Sequence, residues 1–400
     1  MKQSLKEKAC NKKHPLWEKF IERETPLPEK KDELRSEFMR DYTRILHSDA
    51  YRRLKHKTQV FFNPKNDHVC TRIEHVQHVE SVANTIAEEL GLNVELTKAI
   101  ATGHDLGHSP FGHTGEKVIS EIALKNGLKN FWHERNGLHF VDNIEFLSDE
   151  EGNCRNLNLT YAVRDGIISH CGEVDSQGII PRKEIIDLYS LTTAGAKEPA
   201  TYEGAVVKIS DKIAYLGRDI EDAKRLGFIE GKAKEEFDKI SLSVGGALNT
   251  TNLMHKLILD VVETSCPEKG IAFSKESADL IKRVKDFNYE YIYGSSRLMP
   301  YTKYAKLILT ELFDKLNGYY DKERTLIKLK EEKRRSVLID GFTKHLENYS
   351  LLVDGVKPLI KKPYGVLEDQ NLYTQAVLDY FSGMTDAYVI QLFEELITVN

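Results

Sequence analysis

The stretch HVQHVESVANTIAEELG, residues 75–91, places His75, Val79, Val82, Ile86 and Leu90 at intervals of three and four. Those intervals run along one face of an α-helix. Val79, Val82, Ile86 and Leu90 therefore turn toward a core, His75 points the same way at one end, and Gly91 is placed to stop the helix. The next segment, VELTKAIATGHD (94–105), sets Thr97, Ile100, Ala101 and His104 on a single side and delivers His104 and Asp105 at its end. A third, AVVKISDKIAYLGRDIEDA (205–223), carries an apolar stripe of Val206, Ile209, Ile213, Leu216 and Ile220. On another side Asp211, Tyr215, Arg218 or Asp219, and Asp222 recur at helical spacing. An amphipathic helix with solvated acids explains the stripe; a site helix also explains the acids, by aiming Asp211, Tyr215 and Asp219 into a cavity.

Outward from these segments the pattern stays helical. YAKLILTELFDKLNGYY and TQAVLDYFSGMTDAYVIQLFEEL read as helices in the C-terminal part, and EKKDELRSEFMRDYTRILHS reads as an arm or a peripheral helix. Strand signals are sparse: VFFNPKNDHVC (60–70) has β-prone ends around an Asn-Pro-Lys-Asn-Asp turn and predicts a short hairpin. The expected fold is mostly α, a helical bundle with a short β-hairpin and a helical C-terminal extension. Its expected parts are a charged N-terminal arm or helix (1–50), a catalytic core (51–235), and a helical region (236–400) packed on the core and available for oligomerisation.

Composition narrows the class. Of 400 residues, 40% are hydrophobic and 30% charged, and no apolar run approaches the roughly 18 residues of a membrane span. MKQSLKEKACNKKHPLWEKF has no secretory apolar stretch, so a cytoplasmic protein is expected. Five scattered cysteines without a C-x-x-C pair suggest reduced thiols, neither a disulfide framework nor a thiolate zinc site. A net charge of -5 supplies no global attraction to nucleic acid, and the mixed-charge run 323–335 reads as a solvated helix face.

HDLGHSPFGH (104–113) gathers three histidines and an aspartate among two glycines and a proline. Histidine and glycine are indifferent to poor helix formers and proline ends helices, so the run reads as a site. With His75 and Asp211, His104 and Asp105 make an N2O2 ligand set suited to Mn, Fe, Zn or Mg, with positions open for water and substrate. One histidine alone is more often a satisfied core residue; an inward His, a His-Asp pair and an Asp on a third helix together point to a metal. His108 and His113 lie in a loop that suits a polyphosphate, since protonated imidazole neutralises phosphate oxygens. The plainer alternative is a turn that caps a helix.

The pattern H…HD…D resembles the HD-domain metal-dependent phosphohydrolases. RRLKHKTQVF (52–61), TRIEHVQHVE (71–80), HDLGHSPFGHTGE (104–116) and ISDKIAYLGRDIEDA (209–223) narrow the resemblance to bacterial deoxyguanosine triphosphate triphosphohydrolases, as do FWHERNGLHFV (131–141) and AVLDYFSGMTDAY (376–388). The resemblance implies an HD fold and hydrolysis of a deoxynucleoside triphosphate (dNTP) to deoxynucleoside and inorganic tripolyphosphate. It assigns the metal to His75, His104, Asp105 and Asp211, with Mn or Mg first and Fe, Zn or Ni as alternatives. His108, His113, Glu116, His133 and Glu134 match its catalytic histidines and acids, with His108 or His133 nearest the scissile bond. Arg72 and Lys212 resemble triphosphate contacts, Gln59 and Asp219 match positions that hold the sugar 3′-hydroxyl, and Tyr215 matches the aromatic packed where a 2′-hydroxyl would go.

The resemblance further implies a homo-oligomer, a tetramer or hexamer, and allows a dNTP activator. Two other readings use the same residues: a different HD phosphohydrolase, such as a nucleotidase or a guanosine tetraphosphate hydrolase, and a dNTP-sensing or single-stranded nucleic-acid-binding protein. No membrane partner is expected.

Overall fold

Helix termini in this chain are fixed by residues whose side chains satisfy the first unpaired N–H groups, which is why the periodic segments begin where they do. Thr71 and Glu74 form a capping box ahead of Arg72–Leu90, and Gly91, at φ 71°, closes that helix in the left-handed conformation glycine tolerates best. The Asn93 side chain accepts from the N–H groups of Glu95 and Leu96 to start Val94–Gly103, and Thr201 accepts from Gly204 N–H to start Tyr202–Arg225.

The computed structural model describes residues 5–27, 33–61, 66, 68–171, 178–243, 248–332 and 336–398. The fold is mostly α. Helix Glu37–His47 occupies part of the charged N-terminal segment, of which residues 28–32 lie outside the described residues. The hairpin expected at 60–70 falls on a stretch where 62–65 and 67 are likewise outside them. The described antiparallel pair is Phe146–Ser148 with Cys154–Asn156, in register Phe146 to Asn156, Leu147 to Arg155 and Ser148 to Cys154. The run TQAVLDYFSGMTDAYVIQLFEEL forms two helices, Gln370–Ser382 and Asp386–Ile397, parted at Gly383 and restarted by the Thr385 cap. No described helix is long and apolar enough to cross a membrane.

The chain folds into two compact units, each assembled from three stretches. The first takes Met1–Leu46, Pro64–Asp105 and Leu159–Met299. Its core is built where Arg72–Leu90, Val94–Gly103, Tyr161–Ser169 and Tyr202–Arg225 pack together. Val79, Val82, Ile86, Ile100, Val206, Ile209, Ile213, Leu216 and Ile220 are all buried there, each side chain contributing about 1.5–3 kcal/mol by leaving water. Asp41, buried on Glu37–His47, accepts from Arg23 at 2.5 Å and from Thr160 N–H at 2.9 Å, which ties the N-terminal segment into this unit.

The second unit takes His47–Asn63, Leu106–Asn158 and Pro300–Asn400. Gly112–Lys125 packs against Gln370–Ser382, and Val337–Tyr349 packs against Gln370–Ser382 and Asp386–Ile397. A buried polar network runs through it. The Asp379 carboxylate accepts from His139 Nε2 at 2.8 Å, Tyr364 O–H at 2.9 Å and Gln375 Nε2 at 2.7 Å. Burial works against the ionised forms of both His139 and Asp379, but their mutual attraction outweighs it, raising the His139 pKa and lowering that of Asp379.

Candidate active site

The first unit brings together residues from three helices. His75 lies one turn into Arg72–Leu90, His104 caps Val94–Gly103, Asp105 follows it, and Asp211 sits in the middle of Tyr202–Arg225. His75 Nε2 is 2.9 Å from Asp211 Oδ1 and 3.8 Å from Asp105 Oδ2; His104 Nε2 is 3.4 Å from Asp105 Oδ1 and 4.0 Å from Asp211 Oδ1. Two ligands each about 2.1 Å from one ion stand about 3–4 Å apart, so these separations suit a shared cation.

His104 carries the decisive atom. Its Nδ1–H donates to the Ala101 carbonyl at 2.7 Å, which fixes the tautomer and puts the lone pair on Nε2. Burial pushes its pKa down to about 4, so the ring is neutral, and Nε2 is buried with no hydrogen-bond partner. An imidazole anchored through one nitrogen with the other exposed to a carboxylate pair is how a metal-ligating histidine is held. On Asp211, burial raises the pKa, but the His75 hydrogen bond and the charges of His75 and His104 prevail and hold the carboxyl below its usual range. The residues fit a divalent ion.

Around this group, Arg72 Nη1 donates to Asp105 Oδ2 at 3.0 Å, both side chains being buried. Lys212, Tyr215 and Asp219 follow Asp211 on the same helix, with Lys212 and Asp219 buried. Tyr293 O–H donates to Asp219 Oδ2 at 2.5 Å; burial raises the Asp219 pKa to about 6 while the Tyr293 bond opposes that rise. His170, at the end of Tyr161–Ser169, lies edge-on to His104 with ring centroids 5.0 Å apart.

The second unit holds the other imidazoles. His108 and His133 stack with centroids 3.8 Å apart and planes 20° apart, and His113 meets His108 edge-on at 5.6 Å. Glu116 accepts from His133 N–H at 3.1 Å and lies 3.1 Å from His133 Nδ1 and 3.4 Å from His113 Nδ1. Burial raises the Glu116 pKa, but the charges and hydrogen bonds of these histidines reverse the shift and keep it ionised. That carboxylate directs the His133 Nδ1–H toward itself and turns Nε2 the other way, 3.5 Å from the almost wholly buried Glu134. Gln59 belongs to this unit and is partly buried.

Two clamps hold the loop that presents His108. Buried Lys57 donates from Nζ to the carbonyls of His108 and, at 2.8 Å, of Ser382. Asp386 accepts from Phe111 N–H at 2.9 Å and Thr58 O–H at 2.8 Å. Phe111 has φ 63°, a left-handed conformation that costs of order 1–3 kcal/mol in a non-glycine residue and persists only where its surroundings impose it. Gly107 runs so close to helix His133–His139 that a Cβ there would stand 2.1 Å from both Gly137 N and His133 O. Lys57, His170, Tyr293 and Asp386 were not singled out from the sequence. Lys57 and Asp386 lie inside RRLKHKTQVF and AVLDYFSGMTDAY, stretches whose resemblance was visible although the roles were not; His170 and Tyr293 carried no such signal.

Residues 72–216 match the HD domain. A deoxyguanosinetriphosphate triphosphohydrolase-like protein of Caldanaerobacter subterraneus subsp. tengcongensis is 34% identical over 368 residues, covering 92% of this chain and 87% of the relative. This chain belongs to that HD-domain family. A similarly named protein of Clostridium tetani is 32% identical over 92% of the chain and 88% of its own length, and one of Desulfatibacillum aliphaticivorans is 38% identical over 72% and 75%. Membership makes the chain a metal-dependent phosphohydrolase. The matched range contains His75, the adjacent His104 and Asp105, and Asp211.

Proposed function

We propose that the protein hydrolyses deoxynucleoside triphosphates, dGTP among them, to deoxynucleoside and inorganic tripolyphosphate. The observation that carries this reading is the group of His75, His104, Asp105 and Asp211 around the lone pair of His104 Nε2, together with the names of the family members. A divalent ion, Mn or Mg, held by these four residues supplies Lewis-acid polarisation of the α-phosphate and a lowered pKa for bound water.

A water oxygen bonds to the α-phosphorus, the bond from α-phosphorus to O5′ breaks, and the proton lost from water is matched by one gained at O5′. The triphosphate leaves whole. In this reading His108 or His133 moves the proton, and Glu116 orients His133 through Nδ1. Arg72 and Lys212 neutralise phosphate oxygens, and Asp219 with Gln59 holds the 3′-hydroxyl. Tyr215 excludes a 2′-hydroxyl, so deoxy selectivity is steric. Assembly as a tetramer or hexamer and stimulation by a second dNTP belong to the same reading.

The test is to incubate the purified protein with each dNTP singly and with all four mixed, plus Mn or Mg, and to separate the products by chromatography. Deoxynucleoside with intact tripolyphosphate is expected, lost in Asp211→Ala. Monophosphate with pyrophosphate, or no turnover in any mixture, overturns the proposal.

A further inference from the structure

The second unit encloses a cavity of about 640 Å³, and all of its walls come from that unit. Small-molecule sites occupy about 300–1,000 Å³, so the space is large enough for a ligand. None of the residues assigned above to metal, phosphate, sugar or proton transfer lines it. One wall is the face of helix Val337–Tyr349 that carries Gly341, Lys344, His345 and Asn348, at intervals of three and four.

The lining is rich in rings. Phe140, Phe146, Tyr349, Tyr380 and Tyr388 share it with His345, whose centroid lies 4.8 Å from that of Tyr349 and 5.4 Å from that of Tyr380. Flat aromatic faces of this kind suit a flat ligand. The buried polar network then sets the polarity of the wall. Tyr364 spends its only O–H on Asp379 Oδ2, so its oxygen accepts from His345 Nε2–H at 2.9 Å. Burial pushes the His345 pKa down to about 4, so the ring is neutral and Nδ1 keeps its lone pair. Asn348 adds an amide, which both donates and accepts.

Charge decides what kind of flat ligand fits. Arg53, Lys344 and Lys357 line the cavity, and so do Asp49, Glu145 and Asp379, so the signs cancel. The cations are also engaged: Arg53 pairs with Glu145 at 2.6 Å, Lys344 with Asp340 at 2.6 Å, and Lys357 Nζ sits 3.9 Å from the Phe146 ring centroid. A polyphosphate gains nothing from walls whose charges cancel, whereas an uncharged base pays no such cost. We propose that this cavity binds an uncharged nucleoside, its base against the rings of His345, Tyr349 and Tyr380 and an edge N–H donating to His345 Nδ1. The choice of a nucleoside among flat heteroaromatics rests on the proposed reaction, which releases one. The cavity thus accepts the product class and refuses the triphosphate.

The probe is deoxyguanosine, with a brominated analogue for location. Crystals of the whole chain are soaked in bromodeoxyguanosine, and anomalous scattering at the Br edge places the base. A peak beside His345 and Tyr349 is expected, whether or not another appears near His104. In solution, calorimetric titration of deoxyguanosine into the whole chain reads the affinity. His345→Phe keeps a ring and removes the acceptor, which should weaken binding at this site roughly 2- to 10-fold. Asn348→Trp fills the cavity and should abolish binding there while dNTP turnover is retained; the wild-type soak stands without either variant.

A saturating soak with no bromine in the cavity overturns the proposal. So do titrations that both variants leave unchanged, and so does dGTP occupying the cavity as readily as deoxyguanosine. The outcome is separate from the substrate assignment. A nucleoside in the cavity without dNTP turnover sinks the proposed reaction and leaves the site standing; full turnover with an empty cavity does the reverse.

Discussion

Replacing Gly107 by alanine tests whether the imidazole cluster depends on backbone contact. The new Cβ would sit 2.1 Å from Gly137 N, 2.1 Å from His133 O and 2.6 Å from Gly137 Cα, where real Cβ contacts essentially never fall under 3.0 Å. The loop and helix His133–His139 must therefore part by about 0.9 Å, and both are backbone, so no side-chain rotation relieves the clash. Overpacking of this kind costs about 1–3 kcal/mol, occasionally more. At about 1.2 °C per kcal/mol for a chain of 400 residues, Gly107→Ala should lower the Tm by roughly 1–4 °C. The parting also separates His108 from His133, whose rings stack at 3.8 Å, and breaks the bond from Asn136 Nδ2 to Gly107 O at 2.8 Å. A displacement near 1 Å at reacting groups costs on the order of 100-fold in rate. Differential scanning calorimetry and kcat of dNTP hydrolysis read the two effects. A variant with wild-type Tm and kcat would refute the reasoning, because the contact would then be soft.

Other substitutions probe other parts of the same picture. Tyr293→Phe removes the hydrogen bond that opposes the rise of the Asp219 pKa, so the acid limb of the kcat/KM profile should move to higher pH, with a loss of about 1.5–3 kcal/mol in folding stability; an unmoved profile speaks against Asp219 as a substrate contact. The His139–Asp379 pair stabilises fully only where both are charged. His139, raised in the fold, contributes below its ordinary 6.5 and loses that contribution as pH climbs through the raised value; Asp379, lowered in the fold, contributes above its ordinary 3.8 and loses it as pH falls through the lowered one. The Tm gap between wild type and a His139→Gln, Asp379→Asn double variant should thus be widest between about pH 4 and 6.5, and a gap independent of pH contradicts the ionised pair. Asp386→Ala removes the acceptor of the buried Phe111 N–H and of the two Thr58 donors; losing a buried hydrogen bond of this kind costs about 1–3 kcal/mol, so urea unfolding should show a loss of about that size.

The helices Arg72–Leu90, Val94–Gly103 and Tyr202–Arg225 were legible because each buries one regular face, and that regularity is written in neighbouring residues. The stop at Gly91 follows from the same local logic, whereas the Asn93 cap was read only from the structure. Pairings across the chain were not legible. Asp386 meets Phe111 across 275 residues and Asp379 meets His139 across 240, and no local pattern announces either. Phe111 is harder still, since its left-handed backbone would be expected of glycine or asparagine. The strands at 146–148 and 154–156 are three residues each, too short for an alternating pattern to register. Of the first unit's site, His75, His104, Asp105 and Asp211 could be expected to meet from helical spacing and the resemblance, whereas the Arg72–Asp105 bond and the approach of His170 depend on how the helices pack.

The Asp386 and Lys57 clamps have a consequence for how the molecule comes into being. A ribosome adding about 5–20 residues per second exposes Thr58, His108 and Phe111 long before Ser382 and Asp386 exist. Until the segment bearing Ser382 and Asp386 leaves the exit tunnel, the Phe111 N–H and the Lys57 ammonium lack the acceptors that this segment provides. A premature stop upstream of residue 386 removes the carboxylate that accepts from Phe111 and Thr58. For this chain the stretch from Ser382 to Asp386 completes the foundation of the site.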